Sequence, residues 1–456
     1  MVQLKTNRDI FKATGGHYQA PRYAADAVIN GLNKSVLDGS RNIELPAISE
    51  LVVSPSCKNL ISIYFGTEEI KKTNAGNQSI NRESNIVVIG AGLMGSQIAT
   101  DLVDNKFGVD LKDVSPQALK RGLDRIISLE QALLNKRVIK QNEYESRLLR
   151  LNPATWHSPK NKEFVIEAVA EILELKQRIV EEFEETASQN IIFATNTSSF
   201  TVSEIAQKAK YKERFIAMHF FNPVRQMKLV EIGVADFTSQ DTIAKSINLA
   251  KSLGKYPLLV RECPGLLVNR ILARYLIEAV ILVAEGVKIE RIDGVAKNFG
   301  MAIDSGHAMG PLELIDYVGI MTCAHVIKSL HKLGPRIEEP TLISKMANPE
   351  KPLSFWRNQK PNTRVGNFVG KSKDLSEEEI RDRLVLPMVD EARRCLAENI
   401  IDSPRKLDMA MLYGAGFPAY TGGLMKWASD QDVNKITSRL EELTGLYGPR
   451  FEPFSK

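Results

Sequence analysis

Between residues 84 and 262 short β-branched runs alternate with amphipathic helical stretches, whereas beyond Pro264 only helical periodicity remains. The run Asn85-Ile86-Val87-Val88-Ile89 closes on Gly90 and reads as a buried strand. VDLKDV, FVIEAV, IIFATN, RFIAMHF and MKLVEIG follow as strand candidates, separated by helical patterns such as SQIATDLVDN. That alternation predicts an α/β domain, a doubly wound parallel sheet with helices on both faces. Long amphipathic runs such as LLVNRILARYLIEAVILVAEGV then predict an all-α region.

A weak repeat runs through that region. Asn269-Arg270, Glu278-Ala279 and Ile292-Asp293 recur as Asp382-Arg383, Glu391-Ala392 and Leu407-Asp408. Each copy closes on a glycine turn, Gly310-Pro311 in the first and GAGFPAYTGG at 414–423 in the second. Two related helical domains are predicted, joined by the Pro- and Lys-rich stretch 348–373. At the other end, a helical-looking stretch from Ala24 to Leu37 leads to the polar run KKTNAGNQSINRES, which reads as a linker. The chain divides accordingly into 1–83, 84–262, 263–373 and 374–456.

Composition narrows the class. With 456 residues, 43% apolar and 25% charged, disorder and a single small module are excluded. Sixty Lys and Arg against 55 Asp and Glu, with no long run of one sign, imply no nucleic-acid stripe and suit a small anionic substrate. No stretch approaches the roughly 18 to 20 apolar residues of a membrane span. MVQLKTNRDIFK lacks the order of a signal peptide, and Cys57, Cys263, Cys323 and Cys395 have neither metal nor redox spacing. A cytoplasmic protein without a metal is expected.

Candidate chemistry begins at Gly90-Ala91-Gly92-Leu93-Met94-Gly95, a G-x-G-x-x-G loop between a strand and a helix. The first glycine permits the turn, the second lets backbone approach a pyrophosphate, and the third brings helix against strand. Asp113 ends the next strand, where a carboxylate accepts ribose hydroxyls and repels a 2′-phosphate, favouring NAD over NADP, with FAD as an alternative. His219 closes RFIAMHF, and Glu231 lies 12 residues on in MKLVEIG. Such a pair suits alcohol oxidation, the imidazole taking a proton and the carboxylate fixing its tautomer. The alternative is a core histidine. Asn196-Thr197-Ser198-Ser199 ends another strand, as ligands for a carboxamide and a substrate oxygen or as the cap of the helix at VSEIAQKA. Asn269, polar on an apolar helical face, either reaches the site or makes a core hydrogen bond.

These residues carry a resemblance. VVIGAGLMGSQIA, FVIEAVAE, TNTSSF, HFFNPV, MKLVEI, CPGLLVNR and MGPLELIDYVGI, then LPMVDEARRCLAENI and GAGFPAYTGG, resemble the 3-hydroxyacyl-CoA dehydrogenase part of the α-subunits of bacterial fatty-acid β-oxidation complexes. The resemblance implies a Rossmann-type domain followed by two all-α dehydrogenase C-terminal domains. It implies NAD-dependent oxidation of (S)-3-hydroxyacyl-CoA to 3-oxoacyl-CoA, with His219 as base, Glu231 as its partner, and Ser198 and Asn269 near the substrate 3-oxygen. On the cofactor side it implies Gly90, Gly92, Gly95 and Asp113, with Glu171, Lys176 and Asn196 nearer the nicotinamide. Lys176 is expected to neutralise phosphate or ribose-facing charge and Asn196 to hold the carboxamide.

ATGGHYQAPRYAADAVINGL and KNLISIYFGTEEIKK resemble the segment that follows the hydratase domain of that family, so dehydrogenase without hydratase activity is expected of this chain. The implied partners are an acyl-CoA substrate and a thiolase subunit. A monomer or a homodimer is expected, with the second helical copy standing in for the neighbour that single-copy relatives acquire by dimerising. FGMAIDSGHAMG at 299–310 is longer than its counterpart in many relatives, which implies a reshaped acyl pocket. GNFVGK at 366–371 replaces an aromatic-rich turn.

Overall fold

Eight strands form one sheet in the computed structural model, which describes residues 2–73, 76, 80, 82, 84–154, 162–302 and 308–454. They are β1 (Ile86–Ile89), β2 (Val109–Lys112), β3 (Leu151–Pro153), β4 (Phe164–Glu167), β5 (Ile192–Thr195), β6 (Phe215–Phe220), β7 (Leu229–Val234) and β8 (Tyr256–Arg261), in the order β3-β2-β1-β4-β5-β6-β7-β8. Every residue of β1, β4, β5 and β6 is buried, which is why these strands are apolar without alternation. β1 pairs in parallel with both β2 and β4, so the order reverses there and opens a crevice at the carboxyl ends of the strands.

The sheet is not parallel throughout. β6 and β7 are antiparallel, and β8 then runs parallel to β7. The connection 221–228 is shorter than the dozen or so residues that a parallel crossover needs, so the chain has to turn back on itself. The reversal sets His219 directly opposite Glu231 in the register. β3 and β8 were not among the strands expected from the apolar runs.

Contacts divide the chain into two compact units, one of residues 69–270 with 398–401, the other of 1–68, 271–397 and 402–456. The first is the sheet and its helices, around a core that includes Val88, Ile98, Phe107, Phe164, Ile216 and Ile232. The second is helical. Its N-terminal part holds the helices Val2–Thr14, Ala20–Gly31, Leu45–Val53 and Pro55–Lys71, where sequence periodicity predicted one stretch from Ala24 to Leu37. That stretch breaks after Gly31, and Ser35 caps a new turn by accepting from the Asp38 amide. The polar run after Glu69 and the loop 299–310 lie partly outside the described residues. Among the described residues no helix is long and apolar enough to cross a membrane.

The repeat is visible in side-chain pairs. Arg383 donates to both oxygens of Glu285 at 2.8 Å, and Arg270 donates to both oxygens of Glu398 at 2.7 and 2.9 Å. Arg450 donates to Glu278 at 2.9 Å, as Arg336 does to Glu391 at 2.7 Å. Asp293 accepts from the amides of Leu312 and Glu313, and Asp408 from those of Met425 and Lys426. The two copies thus share one polar framework.

Candidate active site

The glycine loop performs three separate steric tasks. Gly90 has φ +100°, and a Cβ there would meet the Ala168 carbonyl oxygen at 2.6 Å. A Cβ on Gly95 would lie 1.7 Å from the Gly90 oxygen, so only glycine lets the helix Leu93–Asp104 pack this close to the turn. A Cβ on Gly92, by contrast, would meet nothing within 4 Å. Backbone at the amino end of a helix therefore faces open space, the condition a pyrophosphate requires. Asp113 accepts from the Ala91 amide at 2.6 Å, which fixes its carboxylate beside the loop. Arg125, which the sequence did not single out, donates to the Ala91 carbonyl and the Ser96 hydroxyl at 3.1 Å and braces the same turn. These features fit a dinucleotide.

His219 stands near the end of β6, 6% exposed. Its Nδ1 is 3.0 Å from Oε2 of Glu231, which is fully buried. The other oxygen of Glu231 accepts the amides of Leu267 and Val268 at 3.0 and 2.9 Å, at the start of the helix Val268–Ala284. The two amides fix one carboxylate oxygen, so the other is aimed at the ring. Phe221 packs edge-on against the imidazole at 4.6 Å. Nε2 has no hydrogen-bond partner among the described residues.

The turn after β5 is organised by Glu171. Its Oε1 accepts from the Thr197 hydroxyl (2.6 Å), the Ser198 and Ser199 amides (2.9 Å each) and the Ser199 hydroxyl (2.7 Å). Burial would raise this carboxyl, but Lys176 and the hydroxyls outweigh it and hold it below its ordinary range. Asn269 donates from Nδ2 to the Ser198 carbonyl at 3.1 Å, bringing the two expected substrate-binding residues together. Neither serine caps the following helix. Thr201 does, accepting from the Glu204 amide while Glu204 accepts from the Thr201 amide.

Two of the expected cofactor residues have partners within the protein. Lys176 is completely buried, and its ammonium lies 2.8 and 3.0 Å from the oxygens of Glu167 and 3.2 Å from Glu171. Burial alone would lower it; the two carboxylates hold it above its ordinary value. These carboxylates are the partners that a buried ammonium needs. Asn196 accepts from the Phe220 amide at 2.9 Å through Oδ1, which leaves Nδ2 as the free end of its amide. Glu167, at the end of β4, also accepts from Thr195 and Val169. It was missed because a carboxylate ending an apolar strand carries no signature apart from its partners. Gln97 was missed likewise; it holds Asn222 and the Val224 amide just beyond His219.

The family model for the 3-hydroxyacyl-CoA dehydrogenase NAD binding domain matches residues 85–263, and that for the 3-hydroxyacyl-CoA dehydrogenase C-terminal domain matches 265–352. The fatty acid oxidation complex subunit alpha of Vibrio campbellii is 33% identical over 98% of this chain.

The chain belongs to the 3-hydroxyacyl-CoA dehydrogenase family.

It is an NAD-binding oxidoreductase by that membership. The corresponding subunit of Shewanella amazonensis is 34% identical over 98% of this chain. The chain spans 64% and 65% of these two relatives, less than two thirds of their length. Among solved structures, the (S)-3-hydroxybutyryl-CoA dehydrogenase PaaH1 from Ralstonia eutropha is 34% identical, with a TM-score of 0.53 over 57% of this chain and 92% of that one. The 3-hydroxybutyryl-CoA dehydrogenase of Escherichia coli K12 shares the fold, at a TM-score of 0.69 and 24% identity over 82% of this chain and 97% of that one. Within this dehydrogenase, Gly90, Gly92, Gly95 and Asp113 are the residues suited to hold the dinucleotide.

Proposed function

We propose that the chain oxidises (S)-3-hydroxyacyl-CoA to 3-oxoacyl-CoA with His219 as general base. The observation that carries this reading is the 3.0 Å contact between His219 Nδ1 and a Glu231 carboxylate fixed by two helix-terminal amides. With Nδ1–H donated to Glu231, Nε2 presents its lone pair and takes the proton of the substrate hydroxyl. Glu231 then stabilises the imidazolium. Asn269 has spent one N–H on the Ser198 carbonyl and offers the other, with the Ser198 hydroxyl, to the substrate 3-oxygen. When bound, NAD supplies the hydride acceptor. Lys176 acts at one remove, holding Glu171 and through it the Thr197–Ser199 turn, while Asn196 directs its free N–H towards the carboxamide end of the site.

The names of the relatives favour a place in fatty-acid oxidation; a thiolase that consumes the 3-oxoacyl-CoA product and a cytoplasmic location belong to the same proposal. Loss of NADH absorbance with acetoacetyl-CoA, and none with free acetoacetate, is expected. His219→Ala is expected to lower turnover by about 10²-fold or more with NAD affinity retained. Unchanged turnover in that variant removes His219 from the mechanism, and activity on the free acid alone removes the CoA substrate.

A further inference from the structure

Glu398 belongs by sequence to the end of the second helical copy, yet residues 398–401 cluster with the dinucleotide-binding unit. The segment is tied down from the end of β8, where the Arg261 amide donates to the Ile400 carbonyl at 2.9 Å. Its Glu398 carboxylate takes two N–H groups of Arg270, Nη1 to Oε2 at 2.7 Å and Nη2 to Oε1 at 2.9 Å. The Arg270 side chain is 1% exposed and that of Glu398 48%, so the carboxylate reaches in from the rim to a guanidinium that is otherwise enclosed. A bidentate pair of this kind fixes direction as well as distance, because the guanidinium fork is planar and rigid.

Arg270 sits in a turn on which much of the site depends. Leu267 and Val268 give their amides to Glu231, the partner of His219, and Asn269 reaches the Ser198 carbonyl. A rotation or slide of this first helical turn would move the carboxylate behind the imidazole and the amide facing the substrate oxygen together. We propose that Glu398 is a positioning residue of the dehydrogenase: its pair with Arg270 fixes the first turn of the helix Val268–Ala284 and so sets Asn269 and Glu231 for the substrate. The inference rests on the dehydrogenase reading above and adds to it a residue from beyond the first helical copy.

The repeat supplies an internal control. Glu285 clamps Arg383 in the second copy as Glu398 clamps Arg270 in the first. There the residue before the arginine is Asp382, which is bound to Arg439 at 3.0 Å and Arg381 at 3.1 Å. If the clamp only holds helices, the two glutamates are equivalent; if it positions the substrate groups, only Glu398 affects binding and turnover.

The experiment compares Glu398→Gln with Glu285→Gln in the full chain. Acetoacetyl-CoA affinity is measured by calorimetry without NAD, kcat and KM by NADH consumption, and Tm by calorimetric melting. Glu398→Gln is expected to weaken acetoacetyl-CoA binding and to lower kcat by about 3- to 10-fold each, with NAD affinity unchanged. Glu285→Gln is expected to stay within about twofold of wild type in both while losing Tm comparably. Glu398→Asp, which keeps the charge, is expected to recover part of the loss, and it serves as the variant if the glutamine form does not fold. An active wild type with an unimpaired Glu398→Gln overturns the positioning role alone, as does equal impairment of Glu285→Gln. A wild type inactive on acetoacetyl-CoA overturns the dehydrogenase reading and this inference with it.

Discussion

In the first helical copy Asn269-Arg270 lies in the first turn of the helix Val268–Ala284, in the second Asp382-Arg383 lies in the second turn of the helix Glu377–Ala397, and the amide and the carboxylate at this place differ in what they can bind. Around it the polar framework is common to both copies. Each arginine is clamped by a glutamate distant in sequence, Arg270 by Glu398 and Arg383 by Glu285. Each copy has a second glutamate, Glu278 or Glu391, bound to another arginine. Each has an aspartate that caps a later helix across a glycine, since a Cβ on Gly310 or Gly423 would sit 2.3 Å from Asp293 or Asp408 side-chain atoms. Asn269, however, keeps an N–H to offer a neutral carbonyl or hydroxyl, whereas the Asp382 carboxylate can only accept and is taken up by Arg439 and Arg381. The packing contacts are repeated, and a side-chain N–H left over at this place is not.

The capping aspartates differ in degree. Burial pushes the Asp408 carboxyl up to about 7, against the two amides that donate to it. Burial also raises Asp293, but only to about 6. Trp356 Nε1 donates to Asp293 at 2.7 Å, a third donor that Asp408 lacks, and each donor to the anion favours the charged form.

The sharpest way to break this comparison is to truncate Asn269 and Asp382. Asn269→Ala is expected to reduce turnover of acetoacetyl-CoA by about 10- to 100-fold, and Asp382→Ala to leave it within about twofold, both read from NADH absorbance. Equal losses would show that the two copies serve the reaction alike. Next in size, Arg383→Met removes a buried cation shared by Glu278 and Glu285, which retain Arg450 and Lys373, and is expected to cost about 1.5 to 3 kcal/mol in denaturant unfolding. Surviving molecules should keep the wild-type KM, and a cost below about 1 kcal/mol would remove that arginine from the shared framework.

The smallest expected effect concerns pH. A carboxyl whose pKa is raised by folding contributes stability that is complete below its unfolded value and is lost as pH rises through the folded value. An amide has no proton to lose. The stability of Asp408→Asn relative to wild type should therefore rise between about pH 4 and pH 7 and then level off. For Asp293→Asn the same rise should be over by about pH 6. Melting curves from pH 4 to 8 test this; a difference independent of pH in both variants would place both aspartates at their ordinary values in the fold.

Much of this was legible along the chain. The glycine loop is readable because its three glycines answer local backbone constraints, and β1, β4, β5 and β6 because strands buried on both faces are largely apolar without alternation. The repeat was visible as recurring Arg, Glu and Asp positions. What pairs with what was not. The bracing by Arg125 and Gln97 depends on residues far apart in sequence, and the reversal at β7 and the burial of Lys176 between Glu167 and Glu171 depend on how the strands and helices pack; the Thr201–Glu204 capping box, by contrast, is local.

Local sequence thus carried the dinucleotide loop, the alternating architecture and the histidine at a strand end. These follow from local sterics and from the period at which apolar side chains recur. Only the tertiary structure decided that Glu231 faces His219 across an antiparallel pair, that a helix start holds that carboxylate, and that Glu398 reaches Arg270. Hydrogen bonds between buried polar groups are chosen by proximity in space, and composition and spacing do not encode that proximity.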